Sequence, residues 1–183
     1  MQKKTLQEAL SQIDQEQSHP TIQTVENCTT FLKNYVLAAE EEKQECLDKL
    51  GEFNKLNKRR VDHLTWKFSQ LIFNEVSRKV GRKGDTENLE RVIKGYQSLA
   101  KLNGIDLEQE EVTGTIDFTH VGENFSLFTR LAELSSQLGR KEEVEIYRRK
   151  EKKRMEKIEE SERLFKDGIK EHGKWQIKKA VEK

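Results

Sequence analysis

Apolar residues recur along this chain at helical spacing, in stripes separated by a few breaks. Leu6, Leu10 and Ile13 share one face of a short first helix, opened by the capping-box pattern Thr5-Leu6-Gln7-Glu8 and ended by Ser18-His19-Pro20. A second stripe, Val25, Cys28, Leu32, Tyr35/Val36, Ala39, Cys46/Leu47 and Leu50, predicts one helix over 21–50, with Gly51 as its C-terminal cap. A third follows at once in Phe53, Leu56, Val61, Leu64, Phe68, Leu71/Ile72, Val76 and Val80. Each long helix would span roughly 40 Å. They either run on as a kinked rod or fold back as an antiparallel hairpin. The hairpin is the expectation, because each stripe needs a partner and its neighbour is nearest.

Gly81-Arg82-Lys83-Gly84 then reads as a flexible basic loop, and Asp85 or Thr86 caps a helix carrying Leu89, Val92, Ile93, Tyr96 and Leu99 up to Asn103-Gly104. Beyond an acidic linker, 110–119 is strand-like: Val112, Ile116 and Phe118 alternate with polar residues at period two. A lone strand leaves its backbone groups unpaired and its edge open. Either Gly114 turns it into a small hairpin or it pairs between subunits, which makes Val112, Ile116 and Phe118 the candidate oligomerisation residues.

A further helix carries Phe125, Phe128, Leu131, Leu134 and Leu138 and stops at Gly139. From Arg140 to about 171 the chain reads as a very charged helix with a thin seam of Val144, Tyr147, Met155, Ile158, Phe165 and Ile169, interrupted by Glu151 and Glu162. Such a helix is expected to be packed at one end and solvated at the other. The junction within 131–144 (LAELSSQLGRKEEV) looks like the turn of a tetratricopeptide repeat, but no second copy follows at a spacing of about 34 residues, so it predicts a single helical hairpin. The expected class is all-α with one short β element. Its segments are 1–20, an oligomerisation core over 21–104, a linker and β element over 105–123, and a C-terminal helical region over 124–183 with a basic tail.

Composition sharpens this picture. Charged residues make up 37% and hydrophobic ones 33%, lean for a sphere but normal for long, partly exposed helices. One proline in 183 residues suits uninterrupted helices. No apolar run reaches the ~18 residues of a membrane span, and the N-terminus has no apolar signal core, so a cytoplasmic protein without membrane partners is expected. Cys28 and Cys46 read as buried small hydrophobes rather than a disulfide or metal pair. The net charge of +1 is unevenly laid out: −4 over 1–50, +6 over 51–83, −6 over 84–125 and +5 over 126–183. Alternating blocks favour self-association, or a polyanion on the +6 block.

No catalytic pattern is legible, so a non-enzyme without cofactor or metal is expected. GRKG lacks the phosphate-loop spacing; His19, His63, His120 and His172 are scattered; and no nucleophile elbow occurs. The best candidate binding surface is basic: Lys58, Arg59 and Arg60 near the start of the third stripe, and Arg78, Lys79, Arg82 and Lys83 at its end. Such residues would neutralise the phosphates of double-stranded DNA independently of sequence. The other basic cluster, Arg148-Arg149-Lys150 with Lys152-Lys153-Arg154, is interleaved with glutamates and is explained by pairing along the helix.

The run 92–118 (VIKGYQSLAKLNGIDLEQEEVTGTIDF) resembles the oligomerisation region of small terminase subunits of tailed bacteriophages, in its leucine–glycine helix break, acidic spacer and EVTG strand. The resemblance implies a homo-oligomeric ring that binds viral DNA for packaging and contacts a large packaging ATPase subunit in the host cytoplasm, with strands closing an intersubunit barrel. The alternative is a helical adaptor or scaffold, built on the single repeat-like hairpin, that binds proteins and no nucleic acid.

Overall fold

A computed structural model of the chain describes residues 5–48, 63–109 and 126–181. Within them the chain is helical. Helix α1 (Leu6–Glu16) opens with the expected capping box: the Glu8 amide donates to Thr5 Oγ1 at 3.2 Å, and the Thr5 amide donates to the Glu8 carboxylate at 2.9 Å. Helix α2 (Ile22–Leu37) starts after the buried Pro20, with Thr24 Oγ1 accepting from the Thr21 amide at 3.1 Å.

Here the structure departs from the stripe. The single helix expected over 21–50 is broken at Ala38, whose ψ of 156° is extended, and a separate helix α3 runs over Glu40–Asp48. Three glutamates fill the first turn of α3, where the positive end of the helix dipole favours them. The bend packs α3 against α1 and buries Cys46, leaving Val36 and Leu37 outside. Helix α2 also chooses a different main partner from the hairpin expected. It packs most extensively on the helix over Thr86–Leu102, then on α1, and only slightly on the helical stretch that follows residue 62.

That stretch begins at residue 63 and widens into a π-helix, π1 (Lys67–Asn74), before tightening into α4 (Glu75–Lys83). In a π-helix each amide bonds five residues back, so residues four and five apart share a side. Phe68, Ile72 and Phe73 all turn inward, and the aromatic rings join α2 to the rest of the core. Phe31 meets Phe68 edge-on at 5.6 Å, and Phe73 meets Tyr96 at 5.3 Å. The buried Tyr96 hydroxyl donates to Asn74 Oδ1 at 2.6 Å, which satisfies both groups. The basic loop expected over 81–84 is instead the last turn of α4, closed by Gly84 at φ 65° with the Asp85 amide reaching the Val80 carbonyl at 3.1 Å.

Helix α5 (Thr86–Leu102) is capped by Asp85 and ends at Asn103 and Gly104. Helices α6 (Leu127–Gln137) and α7 (Lys141–Val181) form a hairpin around Gly139 at φ 70°. One hydrophobic core runs from Leu6 to Tyr147 and takes side chains from every helix, π1 included. Helix α7 is 41 residues and about 60 Å long, and only its first part touches that core. No strand occurs among the described residues; the β element and its Val112, Ile116 and Phe118 lie outside them, as does the Gly51 cap. No described helix is long and apolar enough to cross a membrane.

Candidate interaction surfaces

The basic surface is set by α4. Its inward stripe of Val76, Ser77 and Val80 leaves Arg78, Lys79, Arg82 and Lys83 exposed over the last two turns. A helix C-terminus favours cations, so part of this clustering is local electrostatics. Lys79 also pairs with Glu75 one turn back at 3.1 Å. The structure brings these four residues together; Lys58, Arg59 and Arg60 lie outside the described residues. The nearby Arg140 is committed elsewhere, bonding Glu90 of α5 and Glu143 of its own helix.

A second feature is the groove between α6 and α7, about 510 Å³, walled by Phe128, Ala132 and Gln137 on one side and Arg148 and Glu151 on the other. Glu151 ties it together. Its carboxylate accepts from the Ser126 hydroxyl at 2.5 Å and from two Arg154 nitrogens at 2.6 and 3.0 Å, while Ser126 Oγ caps α6 by accepting from the Thr129 amide. Burial alone would raise the Glu151 carboxyl. The hydrogen bonds from Arg154 and Ser126, with the Arg154 charge, outweigh it and hold the group below its ordinary value. One residue earlier, the buried Lys150 ammonium donates to the carbonyls of Leu107 and Gln109, both at 2.6 Å, and pins the segment leaving α5. Neither role was assigned by the charge pattern, which accounted for this stretch by pairing along the helix.

These groups hold structure together. Cys28 and Cys46 are buried thiols, and burial pushes the Cys28 thiol up, away from the reactive thiolate. His63 lies against Trp66 at 5.9 Å, and burial followed by the charge of Lys67 lowers its proton affinity. Among the described residues no group of histidine, cysteine and carboxylate side chains is placed to hold a metal.

The third feature is the outer part of α7. Every residue from 159 to 170 is exposed, including Leu164, Phe165 and Ile169 at 61%, 70% and 57%. The stripe that faces the head through Val144 and Tyr147 continues outward to the half-buried Ile158 and the exposed Phe165 and Ile169. No protein-family model, curated protein or solved structure matches this chain.

Proposed function

We propose that the protein is a non-catalytic helical assembly protein: a small helical head that presents the outer half of α7 as an arm for association. The observation that carries this reading is the run of exposed residues over 159–170, where three large apolar side chains stand in water on a helix whose first turns are packed on the core through Val144 and Tyr147. A purely solvated helix gains nothing from exposed Phe165 and Ile169, whereas covering each contributes on the order of 1.5–3 kcal/mol.

Light scattering across concentration tests it, comparing the full chain with a variant ending after Ile158. The core residues of α7 end at Tyr147 and Glu151 bonds Ser126, all before the cut, so the shortened chain should keep its helicity per residue and its melting midpoint. The full chain should show a concentration-dependent mass above the monomer, and the shortened one a lower mass. Equal masses for the two would overturn the reading.

A second reading adds a polyanion contact and is favoured by the exposed quartet Arg78, Lys79, Arg82 and Lys83. Packaging of viral DNA, and a large motor subunit as partner, belong with it as the role that a small-terminase likeness would imply. Reversing Arg78, Lys79 and Arg82 to glutamate should abolish retention on duplex DNA at low salt, where phosphate neutralisation dominates. A folded variant retained as strongly as the parent chain would remove this reading and leave the adaptor.

A further inference from the structure

We infer that the arm's partner is the same arm of a second copy, paired antiparallel about a two-fold axis between residues 163 and 164. This inference rests on the assembly reading and adds occupant, direction and register.

The seam supplies the first element. Met155, Ile158, Glu162, Phe165 and Ile169 follow one another at spacings of three and four, the heptad rhythm of a two-helix seam. In an antiparallel pair, first-position residues of one helix layer against fourth-position residues of the other. Centring the pair between 163 and 164 stacks Ile158 on the partner's Ile169, and Glu162 beside the partner's Phe165. The two-fold axis repeats both layers.

Charge chooses the direction. Glu159 and Lys166 flank the seam on one side, both exposed. The antiparallel register sets Glu159 of each copy against Lys166 of the other, giving two opposite-charge pairs per dimer. Parallel pairing in register would set Glu162 against Glu162 within the seam, a like-charge contact that disfavours it. In the antiparallel pair each Glu162 has an apolar neighbour along its stem and keeps its own Lys166 one turn away at 3.9 Å.

The other flank adds a steric fit. Ser161 and Gly168 lie there, and the register places Ser161 against the partner's Gly168. A glycine inside an exposed helix is unfavourable relative to alanine. A Cβ built on Gly168 would meet nothing within 4 Å in the single chain, so no contact within the head accounts for it. Two small residues face to face let the helices approach closely enough to cover Phe165.

Cysteine cross-linking tests the register directly. Full-length Ser161→Cys and Gly168→Cys variants are made separately, mixed, and oxidised with oxidised glutathione. Both native cysteines are buried, so they compete little. Antiparallel pairing predicts a disulfide-linked dimer in the mixture that exceeds, by on the order of tenfold, the dimer formed by either variant alone. As a second arm, Glu159→Lys should weaken dimerisation by on the order of tenfold at low salt, since it turns two attractions into two repulsions. Adding Lys166→Glu should restore it, because the swapped charges again face opposites. Links formed equally well by each variant alone would mean that Ser161 does not face the partner's Gly168 and would overturn the inference. An arm-dependent mass above the monomer without any link would overturn the register while leaving the assembly reading intact. A monomer at every concentration would overturn both.

Discussion

Replacing Gly95 with alanine is expected to destabilise the protein, although alanine is the better helix former. In an open helix the exchange would add about 0.5–1 kcal/mol of stability. Here Gly95 is buried midway along α5, and a Cβ at that position would sit 2.8 Å from Phe73 Cζ and 3.0 and 3.1 Å from the two neighbouring ring carbons. The ring has little room to retreat. Phe73 is fully buried, Tyr96 lies against it at 5.3 Å and Phe68 at 6.5 Å, and Tyr96 is itself held by its bond to Asn74. Overpacking a filled core costs about 1–3 kcal/mol, which exceeds the helix gain. For a chain of this size the melting midpoint should fall by roughly 2–4 °C per kcal/mol.

The test is a urea unfolding series on Gly95→Ala, Phe73→Leu and the double variant. Each single change should lower the midpoint. The double change should lose about 0.5–3 kcal/mol less than the sum, because the smaller side chain vacates the space that the new methyl needs. Strictly additive losses would mean that Gly95 and Phe73 do not compete for that space.

The same contact marks the boundary of what the residue pattern reveals. Helix ends were legible because their causes are local: Thr5 with Glu8, Asp85 before α5, Gly104 and Gly139 at positive φ each act within a few residues. The all-helical class followed from stripes such as Leu89, Val92, Ile93, Tyr96 and Leu99, every one of which is buried. The break at Ala38 and the π-helix were not legible. No glycine or proline marks either, and both answer to distant packing, of Cys46 toward α1 and of Phe73 toward Gly95. A strict α-helical period picks Phe68, Ile72 and Val76 and passes over Phe73, which the wider π turn brings inward.

The surfaces divide in the same way. The solvated outer half of α7 was readable from its thin seam, because exposure follows from having too few apolar positions to bury. The cations of α4 were readable as a cluster; the Lys79–Glu75 pair, four residues apart on one helix, lay within reach of the same pattern and was passed over. Lys150 and Glu151 were hidden inside a charge-rich run, since their partners at Leu107 and Ser126 lie 43 and 25 residues away. One clue was available. Both fall one turn beyond Tyr147 on the face that Val144 begins, where a charged residue must be paired if it packs at all.

Glu151 makes the chain's acid sensitivity specific to one place. Its carboxyl titrates below the ordinary value of 4.5 in the folded protein. A group depressed on folding contributes stability that is fully present above its unfolded value and is lost as pH falls through the folded one. The contribution should therefore hold from neutral pH down to about 4.5 and fade below it. Glu151→Gln keeps the shape but removes the charge that receives both Arg154 nitrogens, so at pH 7 it should cost about 1–3 kcal/mol. The informative quantity is the stability gap between parent and variant. That gap, read from urea midpoints at several pH values between 7 and 3, should narrow steadily below 4.5. A gap constant across the range would show that the charge of Glu151 does not stabilise the fold. The site gives the effect a local signature as well. Ser126 bonds Glu151 and caps α6 with the same oxygen, so protonating the carboxylate loosens the first turn of α6 together with its hold on α7. Amide exchange at Thr129 should accelerate with acid, relative to its intrinsic rate, more than at Leu134 deeper in the same helix, and the difference should vanish in Glu151→Gln.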